Sequence, residues 1–219
     1  MTDRLLPHNN GKLHLIFGPM FSGKTSELLR RIRRYQLCNY KCLLIRYSKD
    51  VRYSDKMVVT HSGLAMNAAK TAFLENVCQF AEESEIIGID EGQFFPDLLP
   101  FCQKQINQGK VIIVAGLDAT YLRTGFDNIL QLVPLAHSVE KLSAVCMSCG
   151  DKASFSKRIV DESEIEVIGG ADKYMAVCRQ CYKIPRPEKS SPFRRMDQIP
   201  KHLNVLEDPV CRKLFMETS

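Results

Sequence analysis

Gly18-Pro19-Met20-Phe21-Ser22-Gly23-Lys24-Thr25 follows the spacing G-x-x-x-x-G-K-[ST]. Each part of that spacing has a chemical reason. The glycines let the backbone curl so that successive N–H groups face one point, which suits a phosphate. A helix starting there adds the partial positive charge of its N-terminus. Lys24 supplies a mobile cation for β and γ phosphates, and the Thr25 hydroxyl is a ligand for Mg²⁺. The bland alternative is a glycine turn between a strand and a helix. A dinucleotide fingerprint is excluded, because no G-x-G-x-x-G occurs.

A triphosphate site needs a second feature, a carboxylate at the end of a buried strand that holds Mg²⁺ through water. Ile86-Ile87-Gly88-Ile89 followed by Asp90 and Glu91 supplies it. Ligands of open α/β sheets gather at the carboxyl ends of strands. Asp90 is assigned to the metal and Glu91 to general-base work. A base that activates water makes an ATPase, and one that activates a substrate hydroxyl makes a kinase. Asp90-Glu91-Gly92-Gln93 also fits the D-E-x-x box of helicases, so both readings stand on these residues. A helicase motor generally uses two such domains, and 219 residues hold one with an appendage. A GTPase would want N-K-x-D, which the chain lacks.

The chain has nine cysteines. Cys146-x-x-Cys149 and Cys178-x-x-Cys181 stand 28 residues apart. Two such pairs can give four thiolates to a tetrahedral Zn²⁺, with no position left for a catalytic water. The metal would close a long loop and reduce its chain entropy. Redox motifs or incidental thiols are the alternatives. Cys38, Cys42, Cys78, Cys102 and Cys211 show no pairing pattern and read as ordinary core or surface residues.

These residues need elements to position them. Residues 13–17, 42–45, 86–89 and 111–115 are short apolar runs that read as buried strands. Residues 25–38, 73–83 and 98–107 read as helices. In the first, Leu28, Leu29, Ile32 and Tyr35 share one face, while Arg30, Arg31, Arg33 and Arg34 fall mostly on the other. Near-continuous apolar strands alternating with helices indicate an α/β fold, a parallel sheet flanked by helices on both faces. After about residue 140 the texture changes to short β-rich segments between the cysteine pairs. From residue 183 the chain carries five of its ten prolines and no apolar periodicity, so 183–219 reads as a disordered tail.

Composition narrows the partners. The formal net charge is +5, and 45% of residues are hydrophobic. The basic excess sits on the helix after the phosphate loop and in the tail, rather than over a whole face as in a nucleic-acid binder. No run approaches ~18 apolar residues, so no membrane partner is expected. Met1 to Asn10 lacks a basic segment followed by an apolar one, so a cytoplasmic location is expected.

Three motifs occur in order: Gly-Pro-Met-Phe-Ser-Gly-Lys at 18–24, Asp-Glu-Gly-Gln-Phe-Phe at 90–95, and Val-Ile-Gly-Gly-Ala-Asp-Lys-Tyr at 167–174. With the four cysteines, they make the chain resemble the type II thymidine kinases over about four fifths of its length. The resemblance implies a P-loop nucleotide-binding domain over 11–140 and a small β-rich zinc-binding domain over 141–182, with a lasso-like loop covering the nucleoside. It implies transfer of the ATP γ-phosphate to the 5′-hydroxyl of thymidine or deoxyuridine, with Mg²⁺ and a structural Zn²⁺.

By the same resemblance Gly18 to Thr25 cradle the triphosphate. Asp50, Val51 and Arg52 contact phosphate, and Arg52 and Lys24 offset charge on the transferring group. Asp90 binds Mg²⁺, Glu91 is the base for the 5′-hydroxyl, and Gly92 and Gln93 belong to the same nucleotide-binding stretch. Met20, Phe94, Leu117 and Tyr121 would pack around the thymine ring, with Ser156 nearby. The backbone of Ile165, Glu166, Val167, Ile168 and Gly169 would bind the base edge, and Tyr174 would hold sugar or loop. Thr25-Ser26 replaces the commoner Ser-Thr, Tyr121 stands where Phe is usual in animal members, Ser156 where Thr is usual, and Arg123-Thr124-Gly125 replaces Arg-Lys-Pro. A homotetramer is implied as well.

Overall fold

The computed structural model describes residues 11–48, 67–160 and 169–184. Residues through Lys183 group into one compact unit. In chain order the larger elements are β1 (Lys12–Gly18), α1 (Lys24–Leu37), β2 (Cys42–Tyr47), β3 (Asn67–Thr71), α2 (Cys78–Glu82), β4 (Ile86–Ile89), α3 (Leu98–Asn107) and β5 (Val111–Leu117). Then come α4 (Asp127–Leu130), β6 (Ser138–Lys141), β7 (Ala144–Val145), β8 (Lys152–Ala153), β9 (Phe155–Arg158), β10 (Tyr174–Val177) and α5 (Arg179–Lys183).

Six strands form one sheet in the order β3-β2-β4-β5-β1-β6. Every pair is parallel. The apolar runs alternate between two cores, as a sheet buried on both faces requires. Leu13, Leu15, Leu43, Ile45, Ile87, Ile89, Ile112 and Val114 face Leu74, Phe95, Leu98 and Phe101. Ile16, Leu44, Ile86 and Ile113 face Leu28 and Ile32 of α1. A Cβ on Gly88 would lie 2.2 Å from Cδ1 of Ile32, so the absence of a side chain on β4 lets α1 close onto the sheet. Behind the sheet, Lys110 Nζ donates to the carbonyls of Ala81, Glu82 and Ser84, which ties off the end of α2.

Residues 144–181 add two antiparallel pairs, β7 with β8 and β9 with β10. They enclose a third core of Ala144, Ala153, Met175, Ala176 and Val177 with Cys146, Cys178 and Cys181.

The four apolar strands and the helices at 25–38 and 98–107 stand where the hydrophobic pattern puts them. The helix expected over 73–83 begins as a tighter 3₁₀ turn at Leu74–Val77 before α2. Three elements lack the expected signals. β3 and β6 are the two edge strands of the sheet, and all four β6 residues are exposed, so no apolar run marks it. Helix α4 has only four residues, too few for a periodicity. Helix α5 carries the chain to Lys183, while residues 185–219 of the expected tail lie outside the described residues.

Candidate active site

The phosphate loop leaves β1 at Gly18, where a Cβ would meet the carbonyl oxygen of Leu142 at 2.4 Å. Gly23 has φ +82, in the left-handed region that a glycine adopts without strain, and stands immediately before α1. Between them the loop folds on itself. Ser22 Oγ donates to the carbonyl of Pro19 at 2.8 Å, and Lys24 Nζ donates to the same carbonyl at 2.6 Å. Lys24 is buried, so its ammonium is held at the mouth of the loop rather than extended into water. Phe21 has φ 63 and is exposed.

Thr25 and Asp90 meet across the end of the sheet. Thr25 Oγ1 lies 3.0 Å from Oδ1 and 3.1 Å from Oδ2 of Asp90, to which it donates. Asp90 is 3% exposed. Burial first, then the neighbouring Glu91 charge, push its carboxyl up to about 6, against the pull of the Thr25 hydroxyl. A hydroxyl and a carboxylate side by side are hard oxygen donors, the set that suits Mg²⁺. The residues present fit that ion.

Glu91 has φ 55 and ψ 43. A left-handed non-glycine residue costs on the order of 1–3 kcal/mol and persists only when its surroundings determine it. Gln93 supplies much of that determination. Its Nε2 donates to Oε2 of Glu91 at 2.7 Å, and its Oε1 accepts from the amide of Leu117, at the end of β5, at 2.9 Å. Asn128 of α4 holds the turn from the other side, donating from Nδ2 to the carbonyls of Gln93 at 2.7 Å and Phe95 at 3.1 Å.

The residues assigned to a nucleoside wall fall in two groups. Phe94 stacks on Tyr47 with ring centroids 5.1 Å apart. It also lines a cleft of about 530 Å³ with Gln93, Phe126 and Asn128. Tyr121 carries the Arg158 guanidinium over its ring at 3.9 Å. Arg158 Nη2 donates to the Tyr174 hydroxyl at 2.9 Å, and Tyr174 is buried. Ser156 Oγ accepts from the amide of Met20 at 2.9 Å, which joins β9 to the phosphate loop. Gly169 stands beside the Lys173 side chain. Asp50, Val51, Arg52, Ile165, Glu166, Val167 and Ile168 lie outside the described residues. Asn128, Arg158 and Tyr182, whose hydroxyl donates to the Tyr121 carbonyl at 2.7 Å, escape a sequence reading because none belongs to a spaced motif.

The sulfurs of Cys146, Cys149, Cys178 and Cys181 all lie within 4.8 Å of one another. Cys149 and Cys178 Sγ are 3.8 Å apart. That is far longer than a disulfide of ~2.05 Å. It matches the ~3.8 Å edge of a tetrahedron with Zn–S bonds of about 2.3 Å. The Cys181 amide points at Cys178 Sγ at 3.4 Å, as a turn that presents thiolates does. The four residues fit a structural zinc ion.

A sequence model described as thymidine kinase matches residues 11–182. The chain belongs to the thymidine kinase family. It is 52% identical over 205 residues to the cytosolic thymidine kinase of Gallus gallus, covering 94% of this chain and 91% of that one. It is 55% identical over 172 residues to the thymidine kinase of Myxoma virus (strain Lausanne), covering 78% and 96%. It is 55% identical over 172 residues to the cytosolic thymidine kinase of Homo sapiens, covering 78% and 73%. The fold of this thymidine kinase family member is the parallel sheet flanked by helices that its apolar runs imply, with a four-cysteine cluster beside it. No helix among the described residues is long and apolar enough to cross a membrane.

Proposed function

We propose that the chain transfers the γ-phosphoryl group of ATP to the 5′-hydroxyl of thymidine, and of deoxyuridine, giving the 5′-monophosphate for nucleotide salvage. The observation that carries this reading is the junction of loop and strand end, where Thr25 meets Asp90 at 3.0 Å with Lys24 on one side and Glu91 on the other. Phosphoryl transfer needs little covalent work from the protein and much positioning and charge stabilisation.

Each residue then has one task. Gly18 to Thr25 bind the triphosphate with backbone amides. Lys24 leaves the Pro19 carbonyl to meet phosphate oxygens. Thr25 and Asp90 would hold Mg²⁺, which offsets phosphate charge when bound. Glu91 takes the proton of the 5′-hydroxyl, and the Gln93 amide fixes which way its carboxylate points. Asp50, Val51 and Arg52 are assigned to phosphate contact, with Arg52 facing charge on the transferring group. Met20, Phe94, Leu117, Tyr121, Ser156 and Tyr174 line the nucleoside, and the backbone of Ile165–Gly169 holds the base edge. The division into a nucleotide domain at 11–140, a zinc lasso at 141–182 and a tail at 183–219, the homotetramer and the cytoplasmic location belong to the same proposal; the word cytosolic in two relatives' names supports the location.

The test is ADP release from ATP with thymidine, with single-stranded DNA, or with neither. Release that depends on thymidine is expected. Release stimulated by DNA and indifferent to thymidine would replace the kinase with a nucleic-acid-dependent ATPase.

A further inference from the structure

Among the contacts that join the zinc-bearing segment to the nucleotide-binding part, two hydrogen bonds end on residues assigned to the nucleoside pocket, beside the Arg158 guanidinium over the Tyr121 ring. Ser156 Oγ accepts from the Met20 amide at 2.9 Å. Tyr182 Oη donates to the Tyr121 carbonyl at 2.7 Å. Tyr182 directly follows Cys181, and its own amide donates to the Cys178 carbonyl at 3.0 Å. Its backbone is therefore fixed by the turn that presents two of the four sulfurs. Its ring is held in place too. The Arg123 guanidinium lies 4.4 Å above it, and Phe155 packs at 5.9 Å. Phe155 immediately precedes Ser156 on β9, so the strand that makes the first contact also packs against the ring that makes the second. Arg123 belongs to the same 120–124 turn as Tyr121, closed by the Thr120 and Arg123 backbone bonds.

We propose that Tyr182 is a positioning residue that couples the four-cysteine zinc site to the nucleoside pocket. The ordered turn at Cys178–Cys181 aims the Tyr182 hydroxyl at the Tyr121 carbonyl. That bond and the Ser156–Met20 bond together set the distance between the phosphate loop and the Tyr121 turn. A filled zinc site and a bound nucleoside then favour each other, and the coupling is reciprocal by linkage. The proposal rests on the assignment of Met20 and Tyr121 to the nucleoside.

The test uses the full-length, zinc-loaded chain and Tyr182→Phe, which keeps the ring and removes the donor. Thymidine affinity by calorimetry is expected to weaken about three- to tenfold, the usual worth of one hydrogen bond. Zinc content per chain, melting temperature and KM for ATP stay as in the wild type. Chelator competition gives a second readout, in which thymidine tightens zinc retention in the wild type and not in Tyr182→Phe. Should Tyr182→Phe lose zinc on purification, Arg123→Gln, which removes the guanidinium from the Tyr182 ring without touching the cysteine turn, carries the same expectation. Wild-type protein that binds no thymidine overturns the pocket assignment and the coupling with it. Wild-type protein that binds thymidine, with a variant of equal affinity and equal zinc retention, overturns the coupling alone. An equal loss of ATP and thymidine affinity with a lowered melting temperature also overturns it, since that marks a merely structural residue.

Discussion

Glu91 sits in a left-handed backbone conformation, and the side-chain hydrogen bonds of Gln93 and Asn128 around it keep that turn in place. The strain has a use if the carboxylate must point at one hydroxyl. Glu91→Gln preserves the shape and removes the proposed base. Steady-state kinetics with thymidine are expected to show kcat falling by about a hundredfold to ten-thousandfold, the worth of a general base, with ATP binding retained. An unchanged kcat would remove Glu91 from that role. A second residue-scale expectation concerns Glu27, at the start of α1. The Arg30 guanidinium first, and Arg31 after it, hold its carboxyl down to about 2 from an ordinary 4.5, against partial burial. A depressed carboxyl stabilises the fold above its unfolded value, and that stability is lost as pH falls toward the folded one. Glu27→Gln should therefore lower Tm by ~1–3 °C at pH 7, since such pairs are largely solvated. The gap should close between pH 4.5 and 2, and a gap that persists at pH 2 would contradict the ion-pair origin.

At the scale of elements, the close approach of α1 to the sheet depends on Gly88. Ile32 is fully buried, so a methyl at 2.2 Å from its Cδ1 must displace that side chain within a packed core or shift the helix that carries it. Gly88→Ala is expected to cost about 1–3 kcal/mol in urea unfolding. Because α1 begins at Lys24 and β4 ends next to Asp90, the same change should raise KM for ATP. Unaltered stability would show that α1 has room to shift. This region also shows what a sequence can carry. The four buried strands and the two helices that bracket the site are legible because their apolar residues repeat with the period of the element. The loop and Asp90-Glu91 are legible because their chemistry needs fixed spacing. The edge strands β3 and β6, the 3₁₀ start before α2 and the four-residue α4 are not, since polarity and brevity erase periodicity. Asn128 is hidden for a related reason. It acts through backbone carbonyls 33 and 35 residues away, and no local pattern records such a contact.

Across the described residues, the parallel sheet carries a smaller segment built around a four-cysteine cluster that fits a zinc ion. The third core is built largely from alanines and cysteines, which bury little apolar area each, so the cysteine cluster must supply much of the local order. Elemental analysis is expected to return about one zinc per chain, from four thiolates in one site. Chelation at neutral pH should lower Tm and raise KM for thymidine more than KM for ATP, because metal binding and folding of small sites are linked. A fully active protein with no zinc would contradict the ligand assignment. The net charge of +5 finds a local explanation here too. Arg30 and Arg31 pair with Glu27, and Arg31 also reaches Glu140 on β6, so part of the basic helix is neutralised within the fold rather than offered to a polyanion.

The Thr25–Asp90–Glu91 junction is proposed to deliver phosphate to a nucleoside hydroxyl. It is tested most directly by following label from γ-³²P ATP into thymidine, deoxyuridine, deoxycytidine and the purine deoxynucleosides. Labelled thymidine and deoxyuridine 5′-monophosphates are expected, with label absent from the purine products. Label that appears only as inorganic phosphate, whatever nucleoside is present, would contradict it.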